Sequence, residues 1–378
     1  MEYQICTNCI MDTTDPDIYF DGNGICNHCH YYENYKNNVM FTGNEAKLAT
    51  QQMVAEIKNR RPKGSDYDCI MGLSGGVDSS YLAWYAVKVL GLKPLVVHVD
   101  SGWNSELAVN NIENIVNILG LDLHTLVLDW DEIRDLQRSF FKASVPNCDI
   151  PQDFAFFAGL YKEAKKYKIK SILNGGNMQT ESILPRAWGY SSSDLIHLRD
   201  VHKKFGSIKL KEYPVVNYLQ KTLYYQYILK LKVFRPLEYI PYNKAEAKHL
   251  LIHELKWRDY GGKHFESVFT KFFQAYYLPV KFGFDKRKAH LSSLIVSGQM
   301  TREEAVIEMM KPLYDAQQLK EDTDYFIKKL GFSQAEWTKI MEQPPVLHEN
   351  FASEVKLHSL MRKLIYRPIL IAKKALSK

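Results

Sequence analysis

Ile70-Met71-Gly72-Leu73-Ser74-Gly75-Gly76-Val77-Asp78-Ser79-Ser80 is the stretch that decides how this 378-residue chain folds. An apolar run over residues 67–73 stops at Ser-Gly-Gly, and a helical pattern follows over residues 79–90. A short apolar run closed by glycine reads as a buried strand, so the segment is a strand, a loop and a helix start. Gly75 and Gly76 let the backbone approach an oxyanion closely, and the N–H groups from Gly75 through Val77 face it at the helix N-terminus. Ser74, Ser79 and Ser80 add hydroxyl donors, while Asp78 is placed to hold magnesium against phosphates. The loop has neither the GxxxxGK[ST] spacing nor its lysine, so it is a pyrophosphate grip of another kind. The competing reading is a plain turn whose aspartate caps the helix.

Working outward, the spacing predicts a strand over 94–99, a helix over 107–119, a strand over 124–128 and a helix over 153–167. A strand Ser171–Leu173 then ends in Asn-Gly-Gly-Asn. Such alternation predicts an α/β fold with a parallel, doubly wound sheet. Ligands of such sheets bind beyond the carboxyl ends of the strands. By that rule Gly175 and Gly176 are candidate nucleotide contacts and Glu181 a second magnesium candidate, with turn glycines and a surface carboxylate as the alternatives. Upstream, a helix is expected over 45–59. Beyond residue 185 the chain becomes aromatic-rich and helical, with helices expected over 216–231, Lys244–Leu255, 267–277 and Arg302–Met310. The expected organisation is a knuckle at 1–40, an α/β domain at 60–240 and a helical substrate and partner region at 241–378.

Cys6-x-x-Cys9 and Cys26-x-x-Cys29 have the spacing that brings four thiolates to one tetrahedral zinc. A thirty-residue knuckle without a core would gain its folding energy from the metal, and a four-sulfur shell leaves no open coordination position. His28 or His30 could replace a cysteine. Cys69 reads as packing on a buried strand and Cys148 as a thiol near the cleft.

Residues 355–378 hold seven Lys/Arg and no acid, leaving 42 Lys/Arg against 43 Asp/Glu in residues 1–354. The body therefore lacks the basic stripe of a nucleic-acid binder, and no nucleic-acid partner is expected. The basic end could touch anionic lipid or a partner subunit, with a solvated helix as the alternative. No run is long and apolar enough for a membrane helix and the start MEYQICTNC is polar, so a cytoplasmic enzyme with reduced thiols is expected.

Ser74-Gly75-Gly76-Val77-Asp78-Ser79-Ser80 resembles the hallmark loop of the ATP-pyrophosphatase (PP-loop) family, and the resemblance covers roughly residues 65–260. It implies a sheet of the adenine-nucleotide α-hydrolase type, with ATP and Mg2+ as cofactors. The implied chemistry is adenylation of a carbonyl or amide oxygen followed by displacement of AMP. It also implies that Val99 and Asp100 cradle adenine, and that Lys244, in a Lys-x-Glu helix start, reaches the phosphates.

The cysteine pairs, the loop, His197–Gly206 (197–206), 260–267 and 282–291 together resemble the N-acetyl sugar amidotransferases of bacterial surface-polysaccharide and flagellin-sugar biosynthesis. That resemblance implies conversion of an acetamido to an acetamidino group on a free or nucleotide-linked sugar. Ammonia would come from a separate glutaminase of the imidazole-glycerol-phosphate-synthase type with a cyclase-like companion. Lys263, His264 and Glu266 fall in an order suited to polarising a carbonyl or relaying a proton from ammonia. Lys286 and Arg287 suit a sugar carboxylate or a diphosphate. The rival is a tRNA-thiolating ATP-pyrophosphatase, which would want further cysteines near the cleft.

Overall fold

The computed structural model describes residues 2–262 and 265–361. Lys263 and His264, expected at the site, and the basic stretch from residue 362 onward lie outside the described residues. The chain opens with α1 (Asn27–Asn38) and α2 (Gly43–Asn59), then enters the sheet: β1 (Cys69–Gly72), α3 (Val77–Trp84), β2 (Pro94–Asp100), α4 (Glu106–Leu119) and β3 (Leu123–Val127). Next come α5 (Trp130–Lys142), α6 (Ile150–Lys166), β4 (Ser171–Leu173), α7 (Met178–Glu181), α8 (Leu195–Phe205), β5 (Lys232–Phe234) and α9 (Lys244–Leu255). Seven shorter or C-terminal helices complete it: α10 (Val268–Phe272), α11 (Leu278–Phe282), α12 (Lys286–Val296), α13 (Arg302–Met310), α14 (Ala316–Leu330), α15 (Gln334–Glu342) and α16 (Val355–Met361).

All five strands are parallel, in the order β3-β2-β1-β4-β5. Neighbouring residues on a strand point to opposite faces. Ile70, Leu95, Val97 and Ile172 accordingly pack against Leu160 and Ala164 of α6. Met71, Val96 and Leu173 face the other way, onto Leu82 of α3, Ile112 and Ile115 of α4 and Leu251 of α9. Both faces are covered, as a parallel sheet requires. The chain winds outward from β1 to β3 and returns through α6 to β4, so the direction of winding reverses between β1 and β4. A crevice at such a switch point is where ligands of doubly wound sheets bind.

The local signals are physical ones. The Ser105 hydroxyl accepts from the Ala108 N–H at the start of α4, and Gly120 ends that helix in the left-handed region. The helix expected over 153–167 begins earlier, at Ile150, because Pro151 fits a first turn. The helices expected over 79–90 and 216–231 instead wind into π-helical turns at Tyr85–Val89 and Gln220–Ile228. Helix α5 and strand β5 were not anticipated. Helix α5 supplies Phe140 and Phe141 to an aromatic core shared with Leu198 of α8, Phe269 and Phe272 of α10, Phe326 of α14 and Trp337 of α15. No helix among the described residues is long and apolar enough to cross a membrane.

The N-terminal knuckle has no separate core. Its cysteines, Met11 and Ile18 pack with Ile183, Trp188 and Ala289, which follow α7 or lie on α12. Ile10 N–H donates to Ser292 Oγ (3.2 Å), Trp188 Nε1–H to the Thr14 carbonyl (3.3 Å), and Lys288 pairs with buried Asp12.

Candidate functional site

The carboxyl ends of β1 and β4 open into a cleft of about 330 Å³ walled by Ser74, Gly76, Val77, Asp78 and Ser79 on one side and Asn174, Gly175, Gly176 and Glu181 on the other. Phe156, Phe157, Leu160 and Tyr161 of α6 form an apolar wall, and Lys244, Lys248, Asp259, Tyr260 and Glu266 close the rim. The structure therefore brings together most of the residues singled out in the sequence.

The loop is braced by hydrogen bonds of its own. Ser79 Oγ donates to the Gly76 carbonyl (3.1 Å) and accepts from Ser74 N–H (3.3 Å), while Gly76 N–H donates to Ser74 Oγ (3.3 Å). Gly75 sits at φ +83°, a conformation L side chains rarely adopt, and its carbonyl accepts from Trp257 Nε1 (2.8 Å) and Tyr260 Oη (3.0 Å). These two bonds fix the orientation of the Gly75 peptide at the start of the helix. A Cβ on Gly175 would lie 3.3 Å from the Asp78 carbonyl oxygen, so β4 approaches the helix start closely. His98 donates from Nδ1 to the Leu73 carbonyl (2.9 Å) and accepts at Nε2 from Asn104 (2.9 Å), tying the end of β2 to the loop.

Asp78 accepts a hydrogen bond from Tyr242 Oη at 2.7 Å. Tyr242 is 2% exposed, and burial and the nearby Asp78 charge push its hydroxyl far above the usual range, so it remains a donor. Asp78 and Glu181 are hard oxygen ligands that line the cleft from opposite sides, a donor set that suits magnesium. Glu266 Oε1 would lie 3.3 Å from a Cβ on Gly76, which places that carboxylate over the loop. Lys248 pairs with Asp259 (2.7 Å) at the rim.

Several expected contacts lie elsewhere. Ser80 is fully buried and its hydroxyl has no partner among the described residues, so it packs behind the loop. Val99 packs between α6 and the aromatic core, and the Asp100 carboxylate accepts from Gly102 N–H (2.8 Å) and Asn104 Nδ2 (3.1 Å). Neither lines the cleft. Lys286 stands 3.8 Å from Asp149 and above the Phe273 ring, and the Arg287 guanidinium is held by Asp285 (2.7 Å) and the Lys311 carbonyl (2.7 Å). The helix cap at Asp285 thus holds Arg287 away from the cleft. Tyr242, Lys248, Trp257 and Tyr260 were missed. Lys248 had a signal, since it is four residues after Lys244 and shares its helix face.

The second centre is the cysteine cluster. The four sulfurs lie within 4.8 Å of one another, with Cys6–Cys29, Cys9–Cys26 and Cys26–Cys29 at 3.8, 3.7 and 3.6 Å. A zinc–sulfur bond of about 2.3 Å gives a tetrahedron edge of about 3.8 Å, so the shell fits zinc. Cys26 N–H, Met11 N–H and Asn8 Nδ2 donate to sulfurs at 3.2–3.4 Å, the support a thiolate needs. His28 and His30 are bound instead to Asp15 (2.7 Å) and Asp21 (2.9 Å), so neither replaces a cysteine.

Residues 49–154 match the NAD synthase family model, and residues 266–364 match "LPS biosynthesis protein WbpG-like, C-terminal domain". The pairing is consistent with a PP-loop family lipopolysaccharide biosynthesis protein. No curated protein matches. Among solved structures, NMN synthetase from Francisella tularensis is 18% identical, with 51% of this chain and 72% of that one covered and a TM-score of 0.28. The U34-tRNA thiolase NcsA from Methanococcus maripaludis is 18% identical (82% and 90% covered, TM-score 0.33). The NH3-dependent NAD synthetase from Campylobacter jejuni is 14% identical (80% and 99% covered, TM-score 0.32). These scores are too low to carry an argument about function.

Proposed function

We propose that the chain is an ATP-dependent, AMP-forming amidotransferase acting on an N-acetylated sugar of lipopolysaccharide or flagellin-glycan biosynthesis. One observation carries the reading: the two matched regions meet at the cleft, where Glu266, the first residue of the WbpG-like match, sits over Gly76 of the NAD-synthase match.

In this reading the acetamido oxygen attacks the α-phosphorus of ATP and pyrophosphate leaves. Ammonia then adds to the imidate carbon and gives up a proton, and the oxygen departs with AMP, leaving an acetamidino group. The amides from Gly75 to Val77 and the Ser74 and Ser79 hydroxyls hold the departing pyrophosphate. Asp78 and Glu181 would hold magnesium, which screens phosphate charge when bound. Lys244 supplies a compact positive charge beside the phosphates, and Glu266 is the base placed to take the ammonia proton. His264 and Lys263 keep the role their order in the sequence suggests. Ammonia would be delivered by a separate glutaminase subunit and its cyclase-like companion.

The thiolation reading is weaker, because both remaining cysteines are poor sulfur carriers. Cys69 and Cys148 are fully buried, and burial pushes both thiols up, away from the reactive thiolate. The test is to incubate the protein with Mg-ATP, ammonium chloride and a panel of N-acetyl sugars, following AMP, pyrophosphate and sugar mass. Equal AMP and pyrophosphate with a sugar about one mass unit lighter supports the amidotransferase. AMP released only with tRNA and a sulfur donor supports the thiolation enzyme.

A further inference from the structure

Two side chains three residues apart face the two centres just described. Arg302, the first residue of α13, donates from Nε to the Cys9 carbonyl (3.1 Å) and from its terminal nitrogen to the Cys6 carbonyl (3.4 Å). Gln299 faces the opposite way: its Oε1 accepts from Lys244 N–H (2.9 Å), and its Nε2 donates to the Tyr242 carbonyl (3.1 Å).

The geometry between them is fixed. Helix α12 ends in a Schellman turn, with Gly298 N–H donating to the Ile295 carbonyl (3.0 Å) and Gln299 N–H to the Leu294 carbonyl (2.9 Å). Gly298 takes φ +76°, which turns the chain and aims Gln299 at the loop before α9. The first N–H groups of a helix have no partner inside it. At α9 Asn243 Oδ1 takes those of Ala245 and Glu246, and Gln299 takes that of Lys244. The body of α12 is clamped as well, because Ser292 Oγ accepts from Ile10 of the knuckle and Ser293 Oγ from Ile183, two residues beyond Glu181.

We propose that residues 297–302 are the strut through which the four-cysteine knuckle positions the pyrophosphate cleft, with Gln299 as the positioning residue and Arg302 as its anchor. Gln299 fixes the backbone on both sides of Asn243, and so fixes where Tyr242 meets Asp78 and where Lys244 enters the cleft. The proposal rests on the reading of this cleft as a magnesium–nucleotide site, but not on the identity of the sugar.

The experiment measures the affinity of the full-length, zinc-loaded protein for a non-hydrolysable ATP analogue with Mg2+, by titration calorimetry. It compares wild type with Gln299→Met, Gln299→Glu and Arg302→Met, each well below its own melting temperature and with zinc content assayed by a chromophoric chelator. Gln299→Met removes both bonds and is expected to weaken binding about tenfold. Gln299→Glu keeps the acceptor for Lys244 N–H and should fall between Met and wild type, an order that a purely structural role would not produce. Arg302→Met leaves all four thiols in place and should retain zinc while weakening nucleotide binding severalfold. Affinities within twofold of wild type for Gln299→Met and Arg302→Met overturn the strut. A wild-type protein that binds no Mg-nucleotide refutes the cleft assignment itself, which is a separate failure.

Discussion

The phosphate loop and the cysteine knuckle are both short loops built around small residues, yet they are held in opposite ways. The loop is closed mainly by its own neighbours, because β1 and α3 lie in the interior and the Ser74, Gly76 and Ser79 bonds close within six residues, with Trp257 and Tyr260 added at the Gly75 carbonyl. The knuckle has turn bonds of its own but borrows its apolar packing, drawing Trp188 from mid-chain and Ala289, Ser292 and Arg302 from the C-terminal third. A site built by secondary structure survives the loss of a ligand, whereas one built by a metal and a borrowed surface does not.

The comparison breaks most visibly at Asp78. On the proposed function, Asp78→Ala is expected to lower pyrophosphate release by at least about 10³-fold, since it removes both the proposed magnesium ligand and the partner of Tyr242. The melting temperature should fall only by the few degrees that an unpaired, buried Tyr242 hydroxyl costs, because the loop does not need its ligand to fold. An equally large drop in melting temperature would mean that the loop is no more self-sufficient than the knuckle.

Trp188 probes the borrowed side. It is fully buried between the segment after α7 and the knuckle, and Trp188→Ala should cost about 3 kcal/mol in chemical denaturation. Limited proteolysis should then cut the first thirty residues before the sheet. Simultaneous cleavage throughout would show that knuckle and sheet unfold as one unit.

Acid separates the regions less sharply, because the aromatic core adds a sensor of its own. His197 is fully buried beside Phe140, Tyr190 and Phe351, and desolvation lowers it to about 4 from 6.5, against the pull of nearby Asp194. Between these values the unfolded chain binds the proton and the folded chain does not, so stability is complete above pH 6.5 and lost as pH falls toward 4. The loss is at most about 3 kcal/mol. His197→Gln should flatten that limb in denaturant titrations from pH 7 to 4.5 and leave any remaining acid loss to the cysteine thiolates. An unchanged slope would place all acid sensitivity in the knuckle.

The smallest effect tests how tightly the loop is packed. A Cβ on Gly72 would meet Phe156 Cζ at 2.1 Å, so Gly72→Ala must push that ring into the cleft. A cost of about 1–2 kcal/mol is expected, with a higher KM for ATP and a nearly unchanged kcat.

The same contrast explains what could be read from the amino acids. Ser74 to Ser80, the Asn-Gly-Gly after β4 and the cysteine spacing are local patterns, and the fold and most of the cleft wall follow from them. Helix α5, between β3 and α6, carries a local signal too, with Asp129 as cap and Ile133, Leu136 and Phe140 at helical spacing. Tyr242, Trp257 and Gln299 carry no such pattern. Each acts on a loop or helix by one or two hydrogen bonds across 55 to 182 residues of chain, and only three-dimensional packing supplies that proximity. Arg287 shows the converse: a basic residue in a suggestive string is drawn to Asp285 by its own helix cap.

Knuckle and seat are also far apart in time. Ile10 meets Ser292 across 282 residues, and Cys9 meets Arg302 across 293. At about 5–20 residues per second, a ribosome needs on the order of tens of seconds to make the seat after the thiols emerge. Throughout that interval the cysteines are accessible to zinc and to oxidants alike, and Tyr242 and Lys244 wait for Gln299. The contacts that fix Tyr242 and Lys244 thus form well after the sheet is made, so a chain stalled before α12 would hold its sheet but not the Gln299 bonds at the cleft.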